Sequence, residues 1–159
     1  MINCPLHFVD IKANIARGRA ILLLSYINDW IATANFTEWH RISIADTVNH
    51  FDTKDLCISA AFVNKDNAIQ FEEKFSNNTI ANSLHFIDLE DDTISETREP
   101  IITEFLNQWL KDCCIAPFYV NVLGFGSSKL SAYANNKHIK ITIGFVSEDD
   151  AIQFKLAWC

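Results

Sequence analysis

Two histidines stand at matching places in the sequence, each three residues before an aspartate: His7 precedes Asp10, and His85 precedes Asp88. Imidazole and carboxylate groups exchange protons and bind ligands near neutral pH. A pair related by pseudosymmetry could therefore act as acid–base or ligand groups. Because both histidines lie in segments that repeat, inheritance from one ancestral half also explains them. We favour that explanation and predict no catalytic residue.

Two-histidine phosphoesterases also derive from a duplicated half and were considered. Their chemistry needs a Ser or Thr two residues after each histidine, so that both side chains point into one cleft. Here His7 is followed by Phe8-Val9 and His85 by Phe86-Ile87. The sequence therefore excludes that enzyme class.

Carboxylates concentrate after the second histidine, in what we predict to be a strand-to-helix connection. They are Asp88, Glu90, Asp91, Asp92, Glu96 and Glu99. The spacing lacks the order and the turn glycine of an EF-hand loop, so we predict no metal and no cofactor. We interpret the cluster as an acidic helix start favoured by the helix dipole. The matching connection in the first half carries Lys12, Arg17 and Arg19, and this difference suggests an acidic surface for a basic partner.

Aromatic and polar side chains are predicted to share one open sheet face. They are Trp39, Arg41, Tyr119, Asn121, Lys140 and Thr142. RNA-binding sheets stack bases on such aromatics, but the basic-Gly-aromatic run of those proteins is missing. The net charge of −7 and the pI near 5.1 also oppose approach to a phosphate backbone. Tyrosine and tryptophan favour protein interfaces, which is the interpretation we prefer.

The chain repeats itself. Leu6–Ile11 matches Leu84–Leu89 at four of six positions, and Phe62–Phe71 matches Phe145–Phe154 at seven of ten. Between these matches an apolar helix pattern recurs with the same spacing. Its members are Leu22, Leu23, Tyr26, Ile27, Trp30, Ile31 and Ala34, followed by Ile101, Ile102, Phe105, Leu106, Trp109, Leu110 and Cys113.

Each copy is predicted to run β-α-β-β-α, with copies at 1–79 and 80–159. Alternating residues predict strands ending at Phe62 and Phe145, and the middle strands are placed at Glu38–Ala45 and Phe118–Leu123. The fold class is therefore α+β: a tandem duplication of a ferredoxin-like unit that lacks its last strand. Helices would cover one face of an antiparallel sheet and leave the other face open.

Two sheet arrangements stay open. The strand that begins the second copy could fill the missing position of the first, or the copies could pair edge to edge as one sheet around a pseudo-twofold axis. Strand alternation is expected to place His7 and His85 on the open face. The copies differ most in the acidic connection after Asp88 and in the lengthened Gly124–Lys137 loop, where we expect function to lie.

Composition indicates a soluble protein. The apolar fraction is 49%, and the five cysteines form no C-x-x-C pair, so we expect reduced thiols in a cytosol. The beginning of the sequence has no signal-peptide pattern, and no apolar run is long enough for a bilayer. We therefore expect a cytoplasmic location and no membrane partner.

The closing segment Phe145–Trp158 resembles the ends of many short uncharacterised bacteriophage proteins, which finish with a strand, an acidic turn and an "A-x-x-F-K-L-x-W" helix. The likeness covers about a tenth of the chain. It implies a phage product acting in the host cytoplasm, and it carries no functional residue.

Three functions were weighed. The first is a non-catalytic phage-type protein that binds a host or viral protein, as an inhibitor of a host defence system. The second is a small-molecule-binding regulatory module of tandem ferredoxin-like units. The third is an enzyme that uses His7 and His85 in one pocket. Homo-oligomerisation is also expected, because strand edges and an aromatic face need cover.

Overall fold

The computed structural model describes residues 3–36, 38–50, 53–76, 80–95, 97–125 and 136–159. Within these ranges the chain is a mixed α+β protein with two three-stranded antiparallel sheets and four α-helices. It divides into two compact units, 1–83 and 84–159. The boundary predicted after residue 79 lies outside the described residues.

Each unit runs β-α-β-β-α, the order predicted from the repeat. The first contains β1 (His7–Ala16), α1 (Arg17–Thr33), β2 (His40–His50), β3 (Thr53–Phe62) and α2 (Lys65–Lys74), followed by a 3-10 turn at Ile80–Asn82. The second contains β4 (His85–Ser95), α3 (Glu99–Cys113), β5 (Phe118–Phe125), β6 (Asn136–Phe145) and α4 (Glu148–Trp158). Most of the predicted Gly124–Lys137 loop lies outside the described residues.

The strand order is β1-β3-β2 in the first sheet and β4-β6-β5 in the second, with antiparallel neighbours throughout. In the first sheet α1 connects β1 to β2, and β3 lies between these two strands. In the second sheet α3 connects β4 to β5, and β6 lies between them. Strand β4 pairs with β6 inside its own unit, and how the two copies join stays a prediction.

Burial alternates along β1. Val9, Ile11 and Ile15 are buried, while Asp10 and Lys12 are exposed. Both helices contact β1 and β3, and their own buried residues lie on the same side as those of β1. They also touch each other through the rings of Trp30 and Phe71, whose centroids are 6.3 Å apart. In the second unit Trp109 and Phe154 make the matching contact at 5.6 Å. Each sheet thus has one helix-covered face and one open face.

The histidines lie on the face opposite to the one expected. His7 points to the same face of β1 as the buried residues Val9 and Ile11, and it is exposed because it lies at the end of the strand. His85 points in the same way to the face of buried Ile87. Phe8 points the other way and is 58% exposed. The prediction was wrong because it took Phe8 for a core residue.

Side-chain caps begin both closing helices. The Asn64 side chain accepts a hydrogen bond from the backbone N–H of Asp66 at 2.8 Å, and Ser147 accepts one from the backbone N–H of Asp150 at 3.4 Å. These contacts satisfy backbone donors that the first helical turn leaves unpaired. Both caps were predicted, since Asn and Ser stand in the same place in the two copies.

Candidate interaction surface

The acidic residues lie on a strand. Asp88, Glu90 and Asp91 belong to β4, which continues to Ser95, and α3 begins only at Glu99. The predicted acidic helix start is therefore wrong for these residues, because β4 continues to pair with β6 beyond the apolar part of the strand. Asp88 and Glu90 are exposed on the open face of the second sheet. The side chain of Asp92, and Glu96 altogether, fall outside the described residues.

Glu90 pairs with Lys140 directly across the sheet. Its Oε1 lies 3.4 Å from Lys140 Nζ, and the two residues are register partners on β4 and β6. Both side chains are partly open to solvent, so the pair contributes at most about 1 kcal/mol. Within the described ranges, no three His, Cys, Asp or Glu side chains gather in a way that could hold a metal ion.

The residues predicted for the open face are divided between the two sheets. In the second sheet Tyr119 stands in the row of Phe86 and Gly144, and Asn121 stands beside Thr142 in the row of Asp88. Tyr119 is half-buried, and Thr142 is fully buried. In the first sheet Arg41 shares the row of Phe8 and Ala61. Trp39 precedes β2, its side chain is exposed, and its carbonyl accepts a hydrogen bond from the N–H of Val63 at 3.3 Å.

One polar contact marks the middle of the first open face. Ser59 Oγ donates a hydrogen bond to Asp10 Oδ1 at 2.6 Å, and these residues are register partners on β3 and β1. Asp88 and Thr142 hold the corresponding positions of the second sheet. The aspartate three residues after each histidine therefore points to the opposite face of the sheet, because side chains an odd number of residues apart on a strand lie on opposite faces.

The two histidines belong to different units. His85 lines a shallow groove in the second unit, where Glu148 and Lys155 of α4 also lie. His7 is exposed at the end of β1 in the first unit. A single pocket shared by both histidines stays a prediction.

A surface that sequence reasoning missed lies on α3. Ile101 is 67% exposed and Phe105 is 63% exposed, although the repeat pattern had assigned both to a buried stripe. Their counterparts in the first unit, Leu22 and Tyr26, are 3% and 9% exposed. Nothing in the sequence separates the two cases, because the apolar spacing is the same in both helices.

An apolar cavity lies beside this helix. Its volume is about 250 Å³, and its walls combine the sheet with both helices of the second unit. The lining residues are Leu89, Glu90, Asp91, Ile102, Leu106, Ile139, Ile141 and Trp158. The Trp158 ring also contacts Phe105, with centroids 5.7 Å apart. We call the exposed residues Ile101 and Phe105, together with Trp158 and this cavity, the α3–α4 groove.

A buried carboxylate ties the start of α4 to the chain leaving α3. Asp150 accepts hydrogen bonds from the backbone N–H groups of Ile115 at 3.2 Å and Ala116 at 2.9 Å. Burial, followed by the charge of Asp150 and by Cys113, raises the pKa of Cys114 to about 11. This thiol is therefore protonated near neutral pH and a poor nucleophile.

None of the helices in the described ranges combines the length and apolar character that crossing a bilayer requires. No family model, curated protein or solved structure matches the chain.

Proposed function

We propose that this chain is a non-catalytic interaction protein that binds a protein partner through its second unit. The observation that carries the proposal is the exposure of Ile101 and Phe105 on α3, where the first unit buries the equivalent residues. Exposed aromatic and aliphatic side chains gain about 25 cal/mol for each Å² of apolar surface that a partner covers. Two such residues one helical turn apart are typical anchors for a partner.

The distribution of charge also supports the second unit as the binding surface. Asp88 and Glu90 are exposed on its open sheet face, and Asp91 lines the cavity. The second half of the sequence carries six basic and eleven acidic side chains. An acidic surface accelerates the approach of a basic partner and disfavours an acidic one.

The partner we propose is a host or viral protein, and the role is inhibition of a host defence system from the host cytoplasm. The support is the resemblance of Phe145–Trp158 to the ends of short bacteriophage proteins. We also propose that the chain arose by tandem duplication of a ferredoxin-like unit. The matching strand orders and the equivalent Trp30–Phe71 and Trp109–Phe154 contacts support this origin.

The test is affinity capture with matched variants. The wild-type chain, the double variant Ile101→Ser/Phe105→Ser and the control Ile21→Ser serve as baits in lysate of a bacterial host. Ile21 is also an exposed helix residue but lies in the first unit. We expect a partner that the wild type and the control retain and the double variant loses. A partner retained equally by all three baits contradicts the proposal.

Self-association is a separate outcome of this test. Sedimentation of the wild type and the double variant shows whether a second copy covers the α3 surface. If the wild type is a dimer and the double variant a monomer, the surface serves a homo-oligomer and the host-partner proposal fails.

A small-molecule-binding regulatory module is the second candidate, and the apolar cavity of about 250 Å³ favours it. A metabolite that binds the folded state raises the melting temperature by mass action. A thermal-shift screen of small molecules therefore tests this function. A specific stabilising metabolite whose effect disappears in Ile102→Trp would favour it over protein binding.

A further inference from the structure

We propose that the α3–α4 groove binds a short peptide segment of a partner protein, which inserts an aliphatic side chain into the cavity and places a Lys or Arg beside Asp91. This inference rests on the proposed function and specifies the chemistry of the partner.

A short segment with a buried residue follows the closing helix of the first unit, and we take it as the analogue of the partner segment. After α2 the chain forms the 3-10 turn Ile80–Asn82, which lies against β1. Its first residue, Ile80, is completely buried. In the same unit the counterparts of the groove residues, Leu22, Tyr26 and Phe75, are buried as well. The first copy thus has a buried aliphatic residue of its own chain in the 3-10 turn that follows its closing helix.

Backbone hydrogen bonds hold that segment in a compact turn. The N–H of Ile80 donates to the carbonyl of Ser76 at 2.9 Å, and the N–H of Ser83 donates to the carbonyl of Ile80 at 3.2 Å. By analogy, we infer that a one-turn partner segment with a single aliphatic anchor occupies the α3–α4 groove.

The cavity has the right size and lining for one such anchor. An apolar cavity of about 150 Å³ in a protein interior accepts benzene, so a volume of about 250 Å³ accommodates a Leu or Ile side chain. The walls contributed by Leu89, Ile102 and Ile139 offer only apolar side-chain atoms. Insertion removes apolar surface from water on both molecules, which drives binding.

The carboxylate of Asp91 determines which residue accompanies the aliphatic anchor. Asp91 is exposed, lines the cavity and lies on the same face of β4 as Leu89, whereas the Glu90 side chain lies on the open face and pairs with Lys140. A cation beside the Asp91 carboxylate is attracted, whereas an acidic segment is repelled. The groove therefore selects an aliphatic residue next to a basic one.

The experiment is selection of peptides from a short random-sequence display library on the immobilised full chain. The selected peptides are then synthesised with a fluorophore, and their dissociation constants are measured by anisotropy. We expect enriched peptides to combine Leu or Ile with Lys or Arg. Binding should weaken about tenfold in Phe105→Ala and less in Asp91→Asn, and in Asp91→Asn the affinity should also depend less on salt.

Matched controls are Ile21→Ala for the apolar substitution and Glu148→Gln for the loss of an acidic group. Both should bind the peptides as the wild type does. Peptides that bind Phe105→Ala as tightly as the wild type would place the site elsewhere and overturn the inference. Enriched peptides without basic residues would overturn the charge requirement.

Failure of this inference differs from failure of the proposed function. If no peptide is enriched while lysate capture still yields a partner lost in Ile101→Ser/Phe105→Ser, the partner uses a folded surface and the peptide inference is overturned. If capture also yields no such partner, both proposals fail.

Discussion

The ring of Phe105 lies 5.7 Å from the ring of Trp158, and yet 63% of Phe105 remains exposed. In the first unit Tyr26 makes the equivalent contact with Phe75 at 6.0 Å and is almost completely buried. The same pair of positions therefore belongs to the core of one copy and to the surface of the other. The two units therefore present different surfaces at equivalent helix positions.

Phe105→Ala is expected to lower the free energy of unfolding by less than about 1 kcal/mol, because most of the ring is already in water. Tyr26→Ala should cost about 3 kcal/mol or more, since it leaves a cavity in a packed core. Urea unfolding monitored by circular dichroism checks the comparison. Equal losses in the two variants would mean that Phe105 is covered in solution.

Cys114 is expected to react with iodoacetamide far more slowly at pH 8 than the exposed Cys4 and Cys159. Its pKa of about 11 keeps the thiol protonated, and only the thiolate attacks. Mass spectrometry of peptides after timed alkylation measures each rate. Labelling of Cys114 as fast as Cys159 would refute its raised pKa.

The Cys114 thiol is also expected to make the free energy of unfolding depend on pH in the alkaline range. Its pKa is about 11 in the folded chain against 9.0 for the unperturbed group. Between these values the folded state holds the proton that the unfolded state releases, so stability falls as pH rises from 9 to 11. Chemical unfolding of the wild type and Cys114→Ala across this window measures the effect, and the variant should show the smaller decrease.

Asp150→Ala is expected to destabilise the protein by about 2–3 kcal/mol, because the backbone N–H groups of Ile115 and Ala116 lose a charged acceptor. Asp150→Asn should cost less, since an amide oxygen still accepts a hydrogen bond. Removing the charge should also speed alkylation of Cys114, whose pKa the carboxylate raises. Thermal unfolding and alkylation of both variants test this, and unchanged alkylation would contradict the electrostatic part.

Gly144→Ala is expected to cost about 1 kcal/mol or more, because a Cβ there would lie 2.9 Å from Leu84 Cδ1 and 3.3 Å from Phe86 Cε1. Leu84 is buried and has little room to move. The control is Ala61→Gly, at the matching position of the first sheet, where a Cβ is already accommodated. Thermal unfolding compares the two, and an unchanged melting temperature for Gly144→Ala would contradict the close approach.

Local sequence patterns were enough to predict the order of the strands and helices. The alternation that ends at Phe62 and Phe145, the apolar spacing of the helices and the caps Asn64 and Ser147 each depend on residues close in sequence. Strand and helix periodicities are local properties of the backbone, so one sequence is enough to recognise them. The sequence also revealed two similar β-α-β-β-α units, because the matched segments recur in the same order.

Only the tertiary structure decided which side of each element is covered. The alternation near His7 is compatible with either face, and burial of Val9 and Ile11 under the helices settled it. The exposure of Phe105 likewise depends on what lies over α3, which residues distant in sequence determine. Local sequence fixes the period of an apolar pattern, but burial depends on the neighbours that long-range packing supplies.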